Sequence, residues 1–170
     1  MDSRSAGAWR GAVPEAMLLA KKRRYYQARC RTESLLVPGI VECLERLAGR
    51  MPIGLATSAS IDDITPTLEV FDLTSYFDVI LTVESVSNPK PHPEIYLMAS
   101  ERLNILPRQS FAFEDSPTGA TAALAAGLQE IGLTTTYDVA KIGKVIAGMA
   151  DYRDLNLLAR LLKLDDSTPK

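Results

Sequence analysis

The stretch Phe111-Ala112-Phe113-Glu114-Asp115-Ser116-Pro117-Thr118-Gly119 constrains the fold more than any other part of the chain. A short apolar run ends in two adjacent carboxylates, passes through a Ser-Pro-Thr-Gly turn and enters the alanine-rich segment 120–126, closed by Gly127. Apolar runs of this length bounded by turn residues read as buried strands. The segment after the turn reads as a helix with Pro117 in its first turn. Open α/β sheets place ligand sites at the carboxyl ends of their strands, which is where Glu114 and Asp115 fall. Two readings of the acids are open at this point. They suit a hard divalent cation such as Mg²⁺, which takes few protein oxygens and keeps water and phosphate oxygens as its other ligands. Alternatively, Asp115 or Ser116 caps the following helix.

The remaining chain supplies the context. Pro14 to about Arg31 reads as a helix, and Ile40 to Leu47 has apolar residues at helical spacing before Gly49. Met51 to Ala56 reads as a buried strand ending in Thr57-Ser58, followed by a helix over 61–71 whose first half Pro66 disfavours. A strand over 77–82, a proline-rich loop over 88–93 and a helix over 94–103 precede the central stretch. A strand near 128–133 and helices near 139–149 and 155–164 follow it. Strands alternating with helices predict an α/β fold with a mainly parallel sheet. Strands near 52–57, 77–82, 111–115 and 129–133 are expected in one sheet, with Thr57 and Glu114 at the same end.

At 170 residues one domain is the default. A net charge of −2 gives no general attraction to nucleic acid or anionic membranes, so neither is expected as a partner. No apolar run approaches a membrane span, and Met1 to Gly11 lacks the apolar core of a signal peptide. Cys30 and Cys43 make neither a disulfide framework nor a zinc site, and a cytoplasmic setting is the natural expectation. The run Lys21-Lys22-Arg23-Arg24 reads as a solvated face, because consecutive helical positions point in different directions.

Thr57-Ser58, Lys90 and Glu114-Asp115 stand at strand ends or in loops between elements. Hydroxyls and amides can donate to phosphoryl oxygens, a lysine neutralises their charge, and a cation held by acids bridges them. The set, in this order, resembles the haloacid dehalogenase superfamily of phosphatases and phosphomutases, in the β-phosphoglucomutase-like branch with a helical cap. Ile53 to Ser58 resembles the strand ending in a phosphate-binding hydroxyl. Lys90-Pro91-His92-Pro93-Glu94-Ile95-Tyr96 resembles the lysine motif, and Glu114-Asp115-Ser116 through Gly119 the metal-binding motif. Pro38-Gly39-Ile40 is similar to the re-entry from cap to core.

The resemblance implies a Rossmann-like three-layer αβα core over 38–164, a partial helical cap over 1–37 and a tail over 165–170. It implies Mg²⁺ held by Glu114 and Asp115, phosphate held by Thr57, Ser58 and Lys90, with Lys90 also catalytic, and a small phosphorylated metabolite as substrate. His92 occupies a variable position of the lysine motif and is left outside the site as a helix-entry residue. Asp62 and Asp63 are placed at a helix start, where acids favour the dipole.

One departure matters. The family's first motif is a strand ending in Asp-x-Asp-Gly, whose first aspartate accepts the phosphoryl group, and these 170 residues do not contain it. In such families that strand lies mid-sheet, between the Ile53 and Phe111 strands. The chain is therefore expected to be a fragment or inactive as written, and a non-catalytic binding or assembly module on the same fold is the alternative. Without the missing strand, the two neighbours either pair directly or leave a gap that another segment fills.

Overall fold

The structure, a computed structural model, describes residues 36–162 together with Leu164 and the helical positions Met17, Lys21 and Arg24. Most of the expected cap, including Cys30, and the tail lie outside the described residues. Lys21 and Arg24 are exposed, as a solvated face requires.

The core begins at Gly39, whose φ of +81° and lack of a side chain let the chain turn against Tyr152 and Arg153. The Pro38 carbonyl accepts from the Tyr152 N–H at 2.9 Å, fixing that approach. Helix α1 (Ile40–Leu47) then buries Cys43, Leu44 and Leu47 at helical spacing. Strand β1 (Gly54–Ala56) leads through Ser60, whose hydroxyl accepts from the Asp63 N–H, into α2 (Ile61–Val70). Helix α2 forms over its whole expected length, including the first half that Pro66 disfavours. The Thr65 hydroxyl donates to the Ile61 carbonyl at 2.7 Å, and Pro66 itself packs inward with Leu68.

Strand β2 (Val79–Leu81) lies parallel to β1 with Gly54 opposite Val79 and Ala56 opposite Leu81. Helix α3 (Glu94–Arg102), strand β3 (Phe111–Glu114), helix α4 (Pro117–Ala126) and strand β4 (Gln129–Leu133) follow. The expected helix over 139–149 is corrected: α5 (Val139–Ile142) ends at Gly143 and β5 (Ala147–Met149) joins the sheet beside β4. Gly143, with φ of +122°, turns the chain out of the helix, and pairing with β4 overrides the apolar periodicity. Helix α6 (Leu155–Leu161), capped by Asp154, completes the core.

Among the described residues every strand pairing is parallel, but the single sheet expected from the sequence is two: β1-β2 and β3-β4-β5. Among the described residues no strand bonds to β1 on the side away from β2 or to β3 on the side away from β4, so the two halves stay separate. Side chains alternate across the second sheet with the strand period of two. Phe111, Phe113 and Ile131 pack on one face with Cys43, Leu47, Tyr152 and Leu158 from the α1 and α6 side. Ala112 packs on the other with Tyr96, Ala99, Ala122 and Ala123 of α3 and α4. Helices therefore cover both faces, and the three-layer αβα expectation holds.

Candidate functional site

The carboxyl ends of β1 and β3 meet through one side chain. Lys90 Nζ donates to the Ala56 carbonyl at 3.0 Å, contacts the Tyr96 hydroxyl at 3.2 Å and forms an ion pair with Glu114 Oε1. The Lys90 and Glu114 side chains are only 8% and 9% exposed, so the charges neutralise one another in a largely dry setting. Thr57, next to Ala56, thus stands at the same end of the core as Glu114.

The loop carrying Lys90 is held by the helix that follows it. The Glu94 carboxylate, in the first turn of α3, accepts from the Ser87 N–H at 2.7 Å and the Asn88 N–H at 3.0 Å. It also accepts from the Asn88 side-chain amide at 2.7 Å, and these hydrogen bonds hold its carboxyl below the usual carboxylate range. One turn of loop is thereby fixed over the helix start, with Lys90 projecting inward. His92 is mostly exposed and its Nδ1 accepts from the Glu94 N–H, a helix-entry contact away from the site.

Glu114 ends β3 facing α3 and α4. Its Oε1 also accepts from the Tyr96 hydroxyl, whose phenol is pushed well above its ordinary pKa by burial and then by the Glu114 charge. On the other side the carboxyl lies against Gly119, where a β-carbon would overlap it. Gly119 is required there because the strand-tip acid and the first turn of α4 occupy adjoining space. Ser116 caps α4 by accepting from the Gly119 N–H at 3.1 Å, so the capping role falls to Ser116 and not to Asp115.

Asp115 turns the other way, toward the loop after β4. Its Oδ2 accepts from the Thr136 hydroxyl at 2.5 Å and contacts the Thr135 hydroxyl at 3.4 Å. Thr57 Oγ1 accepts from the Ala59 N–H at 3.1 Å, leaving the hydroxyl proton to donate elsewhere, and Ser58 beside it is exposed. Thr57, Lys90, Glu114 and Asp115 thus share the carboxyl end of the strands, but Glu114 and Asp115 lean apart.

No group of three or more His, Cys, Asp or Glu side chains that could hold a metal occurs among the described residues. Two carboxylates suffice for a cation that keeps most of its water, so the donor chemistry fits Mg²⁺. Asp115 is available to it, whereas Glu114 takes part only by exchanging its bond to Lys90.

Three residues of this region were not singled out from the sequence: Glu94, Tyr96 and Glu130. Glu130, in β4 opposite Ala112, is fully buried and neither carboxyl oxygen has a hydrogen-bond partner among the described residues. Burial first, and then the Glu114 charge, push its carboxyl up to about 8, opposed by Lys90. Its signal was an acid inside the apolar run Leu128 to Leu133. Cys43 is buried and its thiol is pushed up to about 11 by burial, as befits a core residue.

A strand-tip hydroxyl, a buried lysine and two acids thus stand at the carboxyl end of a parallel αβα core. The chain belongs to the haloacid dehalogenase-like hydrolase family, whose profile matches residues 8–133. It is 32% identical over 145 residues to the phosphoglycolate phosphatase of Escherichia coli (strain K12), covering 85% of this chain and 58% of that protein. It is 40% identical over 114 residues to the phosphorylated carbohydrates phosphatase of Thermotoga maritima, covering 65% of this chain and 53% of that protein. The chain therefore spans a little over half the length of these curated relatives. The crystal structure of a putative beta-phosphoglucomutase from Thermotoga maritima superposes with a TM-score of 0.71 at 32% identity, covering 88% of this chain and 80% of that one. Phosphatases of this family are in general metal-dependent. Among the described residues no helix is long and apolar enough to cross a membrane.

Proposed function

We propose that residues 38–164 form the phosphate- and cation-binding core of a phosphatase or phosphomutase acting on a small phosphorylated metabolite of the sugar- or nucleoside-phosphate class. Residues 1–37 belong to a partial helical cap and 165–170 to a tail, and the setting is cytoplasmic. The observation that carries the reading is Lys90, a buried cation tied at once to the tip of β1 and to the acid at the tip of β3. A phosphoryl group seated there would take hydrogen bonds from the Thr57 and Ser58 hydroxyls and charge from Lys90. Mg²⁺ would be held by Asp115, with Glu114 released from Lys90 as the phosphoryl oxygens replace it. When bound, the cation supplies charge neutralisation of the phosphoryl oxygens.

Attack on phosphorus is a separate matter. Lys90 cannot serve as the nucleophile, because its ammonium is paired, and Glu114 is engaged by Lys90 and Tyr96. No Asp-x-Asp occurs in the 170 residues. That observation supports the second reading, a non-catalytic module that binds the phosphorylated ligand without cleaving it. Both readings require the anion site. Titration of inorganic phosphate with Mg²⁺ present tests it: saturable binding that Lys90→Met weakens at least about tenfold is expected, about 1.4 kcal/mol. Unchanged binding in Lys90→Met would overturn the assignment.

A further inference from the structure

Tyr96 stands between the two charges of the site. It lies in the first turn of α3, is only 7% exposed and packs in one cluster with Ala112 of β3. Lys90 lies on the other side of the helix start, and the bonds from Ser87 and Asn88 to Glu94 tie its loop to the same helix. The spacing of Lys90 and Tyr96 is therefore set within one local unit. Lys90 Nζ donates to the Tyr96 hydroxyl oxygen at 3.2 Å and lies 4.8 Å from the centre of the ring, where cation–π attraction adds to its hold.

The hydroxyl has one proton to give, and it goes to Glu114 Oε1, the oxygen that also takes Lys90. A second acid is close by. Glu130 stands opposite Ala112 in β4, and paired residues of neighbouring strands face the same layer, here that of Tyr96. Burial, then Glu114, then the Glu130 charge raise the Tyr96 phenol, so Glu130 is within electrostatic reach of it. Yet no donor among the described residues reaches Glu130. The Tyr96 proton is committed to Glu114.

Among the described residues, Lys90 and Tyr96 are the only hydrogen-bond donors to the Glu114 carboxylate. On the phosphate reading, on which this inference rests, Lys90 turns from Glu114 to the phosphoryl oxygens. The Glu114 side chain is 9% exposed, and a buried carboxylate left with no donor costs far more than one that keeps a donor. We propose that Tyr96 is the positioning residue of this exchange: its hydroxyl keeps hold of Glu114 while Lys90 moves to the phosphoryl group, so that Lys90 leaves without stranding a buried charge. The Tyr96 bond is worth more after the move than before it, because it then goes to a charge that Lys90 no longer neutralises. The margin between a hydrogen bond to a charged group and one to a neutral group corresponds to roughly fivefold in an equilibrium.

The test titrates inorganic phosphate, with Mg²⁺ present, into the full chain and into Tyr96→Phe, Glu114→Gln and the double variant. Tyr96→Phe keeps the ring and removes the hydroxyl, and is expected to weaken phosphate binding roughly fivefold or more. In the Glu114→Gln background no buried charge is stranded, so adding Tyr96→Phe is expected to change Kd by less than about twofold. Phosphate is also expected to shift the near-ultraviolet tyrosine absorption of the unaltered chain, as Lys90 leaves the Tyr96 hydroxyl and ring, and to produce no such shift in Tyr96→Phe.

Equal weakening in both backgrounds would show that Tyr96 acts through packing alone and would overturn the proposal. So would phosphate binding that Tyr96→Phe leaves unchanged, a near-ultraviolet shift that persists in that variant, or no shift in the phosphate-saturated unaltered chain. Absence of saturable phosphate binding to the unaltered chain would overturn the phosphate reading itself and this inference with it, an outcome separate from the others.

Discussion

Replacing Glu130 by glutamine is expected to change how stability depends on pH, in a direction set by where the side chain sits. Glu130 is fully buried, and no donor among the described residues reaches either carboxyl oxygen. Its carboxyl is pushed from an ordinary 4.5 up to about 8, by burial and by the nearby Glu114 charge. The folded chain thus holds a proton that the unfolded chain has released. The stabilisation is fully present below the unfolded value, is lost as pH rises through the interval, and levels off above the folded value. Between about pH 5 and 8 the loss approaches 1.4 kcal/mol per pH unit, on the order of 5 kcal/mol in all. That is a large share of the 5–15 kcal/mol that typically separates folded from unfolded states, roughly speaking. Glu130→Gln removes the titration and keeps the shape. Urea denaturation of both proteins at intervals from about pH 5 to 9 measures the difference, so that all other titrating groups cancel. The variant's stability relative to the parent is expected to rise up to about pH 8 and to level off above it. A difference independent of pH would show that Glu130 is solvated or ionised in the folded state and would refute the reasoning.

Three further outcomes follow from the same region. Lys90→Ala leaves the buried Glu114 charge without its cation and is expected to destabilise the fold by about 3–5 kcal/mol in urea denaturation. Gly119→Ala forces a β-carbon into the Glu114 carboxyl and is expected to cost about 1–3 kcal/mol by the same measurement. Mg²⁺ is expected to bind weakly in calorimetry and Asp115→Asn to abolish that binding, while Glu114→Gln changes it less, because Glu114 is already paired to Lys90.

Much of the core could be read from local pattern. The strand, turn and helix from Phe111 to Gly127 appear where the apolar run, Pro117 and Gly127 placed them, because each signal there is local. The expectation that Thr57 and Glu114 share one end of the strands holds for the same reason, since both terminate short apolar runs. What was not legible depends on contacts distant in sequence. The strand over 147–149 exists because β4 offers it an edge, which no local pattern announces. The division into two sheets depends on what does not pair with β1 and β3. The separation of Glu114 from Asp115 follows from Lys90 and Tyr96 drawing one and Thr136 drawing the other, across gaps of 18 to 24 residues. Pro66 removes only one ladder donor from α2, and the Ser60 cap and the inward packing of Pro66 beside Leu68 hold the helix around it.

The central proposal is that Lys90 and its neighbours supply charge neutralisation and phosphate binding at the strand tips, and that the 170 residues, which hold no Asp-x-Asp, supply no attacking carboxylate. It is tested most directly by Mg²⁺-dependent hydrolysis of a generic aryl phosphate. The 170-residue chain should turn over far below roughly 1 s⁻¹. The same chain supplied with an N-terminal strand ending in Asp-x-Asp-Gly should gain several orders of magnitude, about what losing a nucleophile costs. Turnover of the 170-residue chain at an ordinary enzyme rate would contradict the account, and would mean that a carboxylate assigned here to structure or metal, such as Asp115, attacks phosphorus.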